Sequence, residues 1–430
     1  MRASLRLGGG AGFAGDRLDA PVDLALRGKL DYLILECLAE RTIALAQLRR
    51  RRDPATGYDT RLRERVESLL PVLARHRVKL VSNFGAANPL AAADAIVDIA
   101  RRLQIPVKVA AVTGDDVLDA LDPSMPTMET GAPLSSVGAI VSANAYLGAE
   151  ALLPALATGA NIVVTGRVAD PSLIVAPLMH EYGWSADDWD RLARGTVVGH
   201  LLECAGQLCG GYFADPGRKD IPHMASLGFP FADVDAQGNA TLGKVDGTGG
   251  RITRATATEQ LLYEVTDPHG YLTPDVVADF SAVTLTQTAQ DRIEVRGARG
   301  RARPPQLKVS VGYLAATWAK ARSATRAPMP SPARSSPRRS CASAWTDGSP
   351  SCASTSSAAR RCTAAPSTPM SIPTKSGCAS PRARSRARTP PSSATKWRRS
   401  TRTARPAVAA RASTSPSRSA SCRRSSIARG

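Results

Sequence analysis

Apolar residues come in short runs along the first part of the chain. Each run leads into a Gly-, Asn- or Asp-containing loop and then an amphipathic stretch, a unit repeated from Ser4 to about Tyr182. The runs are Ser4 to Leu7, Asp31 to Glu36, Val78 to Ser82, Val107 to Thr113, Ala139 to Ala143 and Asn161 to Thr165. Runs this short, bounded by turn residues, predict buried strands. Between the second and third, Leu62, Val66, Leu69, Leu70 and Leu73 fall on one helical face, with Pro71 expected to kink that helix or start a new turn. Leu90, Ala93, Val97 and Ala100 form a second stripe, and Pro89 suits its first helical turn. Strands and helices alternating at this spacing predict an α/β fold, a mostly parallel sheet with helices on both faces.

From Gly195 to Gly250 the pattern loosens into Gly-rich loops, including Gly210-Gly211 and Gly247-Thr248-Gly249-Gly250. A helix is expected again around Thr256 to Val265, and strands at Ser281 to Thr288 and Gln306 to Tyr313. The reading is one domain over 1–314, with room for a smaller lobe from about residue 200, and a separate tail over 315–430.

The tail differs in kind. Leu314 is the last leucine, Phe280 the last phenylalanine and Glu294 the last glutamate; Ser, Arg, Ala, Pro and Thr dominate afterwards. Such a segment buries too little apolar surface to offset a chain entropy of roughly 1–2 kcal/mol per residue, so disorder is expected. The tail also explains the net charge of +19: it holds 23 of the 56 Lys and Arg and a single acid, Asp347. The first 314 residues carry 33 basic and 36 acidic side chains, so their charge signals no nucleic acid. Binding of RNA or DNA by the tail is a separate reading, with Trp345 and Trp397 available for stacking but no repeated aromatic–basic pattern.

Met1 to Gly10 lacks the apolar core of a secretory signal, and no apolar stretch reaches about 18 residues. The expectation is a cytoplasmic protein without a membrane partner. The five histidines are scattered with no two at ligand spacing, and the five tail cysteines match no metal pattern, so no metal is expected.

Open parallel sheets bind ligands outside the carboxyl ends of their strands. Gly8-Gly9-Gly10-Ala11-Gly12 follows the first predicted strand; it is either a phosphate cradle formed by Gly8, Gly10 and Gly12 or a tight turn. It lacks both a P-loop Lys-Ser/Thr and the dinucleotide fingerprint. Asn83, Gly85 and Asn88 follow the third strand, and Asn144 the fifth; the asparagines either orient a carbonyl or cap helices. Gly166 and Arg167 follow the sixth, where the guanidinium suits a carboxylate or phosphate, and Asp170 either joins it or caps the next helix. A helix starting at Glu36 would place Glu36 and Glu40 on one face for acid–base work or oxygen ligation, or as a solvated pair. Cys204 is a conceivable nucleophile or a small buried hydrophobe. The catalytic candidates are thus Glu36, Arg167, Asp170 and Cys204.

Taken in order, several segments resemble the acyclic terpene utilisation family. They are Gly12 to Arg17, Asp31 to Glu40, Asn83 to Pro89, Ala143 to Gly148, Val163 to Asp170, Gly199 to Gly211 and Tyr271 to Val276, within a likeness running from about residue 4 to Tyr313. The resemblance implies a role in breakdown of citronellol- and geraniol-type compounds as coenzyme A thioesters. The partner it implies is a small-molecule CoA thioester, whose CoA moiety is the only cofactor-like group expected; homo-oligomers stay open. The reaction is left open between an enzyme and a non-catalytic binding or assembly component.

Members of that family continue with a Gly-Glu-Gly-Glu-Ile-Ser-Tyr-Ala-Gly segment and a small ferredoxin-like domain. Read from the third base of each codon, Trp318 to Met329 can encode that segment, and Ser400 to Arg411 can encode a Gly-rich stretch in the same frame. The expectation is a frameshift near Tyr313 to Trp318.

Overall fold

The computed structural model describes residues 3–314 and the backbone of 408–412 and 422–426. The rest of the tail, with the disorder and nucleic-acid binding expected of it, lies outside these residues.

The first half alternates as its pattern predicts. In order come β1 (Leu5–Ala11), α1 (Asp19–Arg27), β2 (Tyr32–Leu35), α2 (Glu40–Arg52), α3 (Leu62–His76), β3 (Lys79–Ser82), α4 (Pro89–Arg102) and β4 (Lys108–Val112). There follow β5 (Ala139–Ala145), α5 (Leu153–Ala157), β6 (Ile162–Thr165), α6 (Ser172–Tyr182) and α7 (Trp189–Leu202). The second half holds β7 (Pro230–Val234), β8 (Ala240–Lys244), α8 (Arg254–Leu262), β9 (Tyr271–Leu272) and β10 (Val277–Asp279). It continues with β11 (Thr284–Ala289), β12 (Arg292–Arg296), β13 (Arg299–Arg301) and β14 (Leu307–Leu314), and the tail adds β15 (Val408–Ala412) and β16 (Cys422–Ser426).

The main sheet runs β11-β12-β8-β7-β1-β2-β3-β6-β4-β16. Its centre, β1-β2-β3-β6-β4, is parallel. The β7–β8 and β11–β12 hairpins extend it antiparallel beyond β1. Alternate side chains of a strand face opposite sides, and helices cover both. Leu33, Leu35, Leu80 and Val164 pack with Leu24, Leu69 and Ile96 of α1, α3 and α4. Tyr32, Ile34, Val81 and Val163 pack with Leu156, Leu178, Val198 and Ala257 of α5, α6, α7 and α8. The order β3-β6-β4 reverses the winding at β4. The helices following β3 and β6, α4 and α6, therefore leave to opposite faces, opening a crevice at the carboxyl ends.

Local details depart from the pattern for identifiable reasons. The α3 helix runs unbroken through Pro71, which is exposed, while Leu69, Leu70 and Leu73 hold the helix to the core. The α7 helix continues through Gly195 and Gly199, because a Cβ at Gly199 would stand 2.7 Å from Pro171 Cα: glycine lets α7 pack against the start of α6. Strand β5 is not in the main sheet; it pairs antiparallel with β14, and Asn144 lies within it rather than after it. Strands β9, β10 and β13 form a third small sheet.

Candidate active site

The glycine run is inside β1, not in a loop after it, which corrects the reading of Gly8 and Gly10 as a phosphate cradle. A Cβ on either would stand 2.7 Å from a leucine side chain, Leu30 for Gly8 and Leu33 and Leu35 for Gly10. A Cβ on Gly9 would stand 2.5 Å from the Leu202 carbonyl oxygen, and one on Gly12 2.7 Å from the Cys204 backbone. The missing side chains let the end of α7 press onto β1. That approach delivers Glu203 and Cys204 to the carboxyl end of the sheet.

A cavity of about 760 Å³ opens there, within the range of small-molecule sites. Glu36 from the turn after β2, Asp170 from the turn after β6, and Glu203 and Cys204 beyond α7 line it. Its walls are largely apolar and aromatic: Phe13, Leu38, Met128, Tyr146, Tyr212, Tyr263, Tyr271, Leu272 and Leu307. Glu40 and Lys308 also line it, as do Glu264 and Asp267.

The carboxyls behave unlike one another. Glu36 is buried, and its Oε1 accepts from the Leu38 N–H at 2.7 Å and from Asn83 Nδ2 at 2.9 Å. Burial and the neighbouring Asp170 push its pKa well above the ordinary carboxylate value, against the pull of Arg167. Burial likewise raises Glu203, reinforced by Asp170 and Glu264. Glu40 goes the other way. Burial opposes ionisation, but the Tyr146 hydroxyl donates to Oε1, Lys308 Nζ donates to it at 3.0 Å, and the pKa falls to about 2. The cavity therefore holds a fixed anion near Lys308 alongside Glu36 and Glu203, carboxyls whose ionisation burial opposes. The expected pairing of Glu36 and Glu40 on one helix face is replaced by this arrangement, because α2 begins only at Glu40.

Arg167 lies beneath the cavity rather than on its lining, at 1% exposure. Nη1 donates to the Leu38 carbonyl, Nη2 to the Val168 carbonyl and Asp170, and Nε to the Val168 carbonyl at 2.9 Å. The Tyr146 ring covers it, 4.5 Å from the guanidinium carbon. Four of its five donors are thus used by the protein, and the bidentate slot expected for a ligand is filled by Asp170 and backbone. Asp170 does not cap α6, whose N-cap is Pro171; it pairs with Arg167 and faces the cavity.

Other expected ligand-binding residues serve the scaffold. Asn83 lies behind Glu36, holding it with Nδ2 while its Oδ1 accepts from the Cys37 N–H at 2.7 Å. Asn88 caps α4 through the Ala91 N–H and donates to the Pro54 and Thr56 carbonyls. Asn144 donates to Asp115 Oδ2 at 2.9 Å, which also accepts from the Arg167 N–H at 2.8 Å. Gly85 and Gly166 allow close crossings, a Cβ meeting the Thr165 carbonyl at 2.5 Å and the Asp115 carboxylate at 2.4 Å. Of the ligand-binding set only Gly12 lines the cavity. Cys204 lines it too, but burial and adjacent Glu203 push its thiol pKa up, so it is protonated rather than a thiolate nucleophile.

Sequence reading missed Glu203, Tyr146 and Lys308. The first stands beside Cys204 and the second two residues after Asn144, but Lys308 arrives from β14, 268 residues from its partner Glu40, with no local signal. Among the described residues no group of three or more His, Cys, Asp and Glu could hold a metal ion, and no helix is long and apolar enough to cross a membrane.

No curated protein and no solved structure matches the chain. The family model described as acyclic terpene utilisation family protein AtuA matches residues 5–326, spanning β1 to β14, the cavity and every lining residue. With that match covering most of its length, the chain belongs to the acyclic terpene utilisation family.

Proposed function

We propose that the chain binds a branched acyclic acyl compound, as its CoA thioester, and moves protons on the acyl part. The observation that carries this reading is the cavity itself: aromatic and aliphatic walls lined also by Glu36, whose acid form burial favours. Apolar walls suit a branched hydrocarbon chain, each buried methylene contributing about 0.8 kcal/mol. Glu36, fixed by Asn83 and the Leu38 N–H, is an oriented general acid. Burial disfavours the charged forms of Glu36 and Glu203, Glu40 pairs with Lys308 and Asp170 with Arg167, so it is Glu264 and Asp267 that leave the lining negative and repel the CoA phosphates. In this reading they stay outside while the acyl chain enters.

The protonated Cys204 and the committed Arg167 favour a second reading, a binding component of the same pathway that performs no reaction. One experiment separates the two. The chain is incubated with citronellyl- and geranyl-CoA in D2O, with binding followed by thermal shift and deuterium uptake by mass spectrometry. Binding with deuterium entering the acyl chain supports the enzyme, binding without it supports the second reading, and no binding of either thioester refutes both.

A further inference from the structure

Glu203 caps the carboxyl end of α7 and His200 precedes it by one turn, so the helix itself sets the pair. His200 Nδ1 stands 2.9 Å from Glu203 Oε1, with both side chains buried, at 1% and 9% exposure. The His200 ring packs at a tilt against the stacked pair Tyr271 and Phe280, centroids at 5.4 and 5.7 Å, which restrains its plane. Gln260 Nε2 of α8 ties down the His200 carbonyl at 2.9 Å. Glu203 lines the cavity, yet its Oε2 meets no hydrogen-bonding partner. Buried polar atoms are nearly always partnered, so a buried carboxyl oxygen without a partner, on a residue that lines the cavity, marks a place where a ligand completes the bonding.

We propose that Glu203 is a second proton-transfer residue of the cavity, serving the same bound acyl compound as Glu36, and that His200 is the residue that positions it. This deepens the proposed function and rests on it. Burial holds His200 neutral, its pKa lowered to about 4, and the same burial favours the acid form of Glu203. With its hydrogen on Nδ1, His200 donates to Oε1 whether Glu203 is acid or carboxylate, leaving Oε2 for the ligand. In one direction the Oε2–H bond breaks and the proton forms a C–H bond on an unsaturated acyl carbon. An electron pair of the substrate double bond makes that new bond. The resulting carboxylate is reprotonated by a proton leaving another carbon of the same acyl chain, whose C–H pair becomes the new double bond. The net change is an isomerisation, with no oxidant or co-reactant.

The test uses the full chain with geranyl-CoA in D2O, reading binding by thermal shift and deuterium uptake by mass spectrometry. Glu203→Gln is expected to lower uptake about 100-fold or more while affinity stays within about threefold. His200→Leu is expected to lower uptake roughly tenfold, and His200→Asn, whose amide nitrogen can donate where Nδ1 does, to recover most of it. Uptake by Glu203→Gln within about threefold of the wild type overturns the assignment while leaving the proposed function standing. A wild-type chain that neither binds nor exchanges geranyl-CoA overturns both. A substrate-free readout is the infrared carboxylic-acid C=O band at neutral pH: part of it is expected to vanish in Glu203→Gln, and an unchanged band overturns the assignment.

Discussion

Replacing Arg167 by methionine distinguishes a structural cation from a ligand-binding one. The substitution keeps an unbranched side chain beneath Tyr146 but removes four hydrogen bonds, leaving the buried Leu38 and Val168 carbonyls without those donors and Asp170 without its counter-ion. Breaking a buried ion pair by deleting one partner costs about 3–5 kcal/mol. Asp170 retains 36% side-chain exposure, so water screens the charge left behind and the lower end, about 3 kcal/mol, applies. Adding Asp170→Asn to Arg167→Met removes the stranded carboxylate and is expected to return about 1 kcal/mol, a coupling within the usual range for contacting residues. Urea titrations of the wild type, both single variants and the double variant close this cycle. A loss below about 0.5 kcal/mol for Arg167→Met, or no coupling to Asp170, refutes the structural role and restores Arg167 as a ligand-binding residue.

Burial raises the Asp115 pKa from 3.8 to about 6, so its contribution to stability is full below the unfolded value and is lost as pH rises through the folded one. Its Asn144 and Arg167 hydrogen bonds both reach Oδ2, so Asp115→Asn can keep them. The variant should gain roughly 2–3 kcal/mol relative to the wild type between pH ~4 and ~7; denaturation curves whose difference does not change with pH refute this. Gly9→Ala drives a Cβ against the Leu202 carbonyl and should cost about 1–3 kcal/mol, with a matching drop in Tm; an unchanged Tm refutes the packing role of the glycine run. The frame change expected near Tyr313 to Trp318 predicts that resequencing shows a one-base shift in the coding DNA. Peptides detected by mass spectrometry in the printed frame beyond Trp318, from DNA with an intact frame, refute it.

The periodicity of the first 180 or so residues was enough for the parallel centre of the sheet and its two helical layers. Strand burial and helix amphipathicity are local patterns, and Tyr32 and Ile34 facing one layer while Leu33 and Leu35 face the other follows from strand geometry alone. The β7–β8 hairpin was not legible among the glycines around it. Its place is set by pairing with β1, more than 200 residues earlier in the chain. The carboxyl ends singled out from the sequence are where the cavity opens, and Glu36, Asp170, Cys204 and Gly12 line it.

What the sequence by itself determined is the layered α/β fold and the family, because both are written in residue order and spacing. Which polar groups face the cavity was decided only by tertiary structure. Arg167 and Asn83 look like ligand-binding residues in the chain, yet the fold turns one under Tyr146 and the other behind Glu36. Glu203 has only its place beside Cys204 as a signal and Lys308 none, yet packing of α7 on β1 and pairing of β14 with β5 bring them to the lining. The physical reason is that a carboxyl or guanidinium takes its charge state and free valences from desolvation and neighbours distant in sequence, and those neighbours exist only after folding.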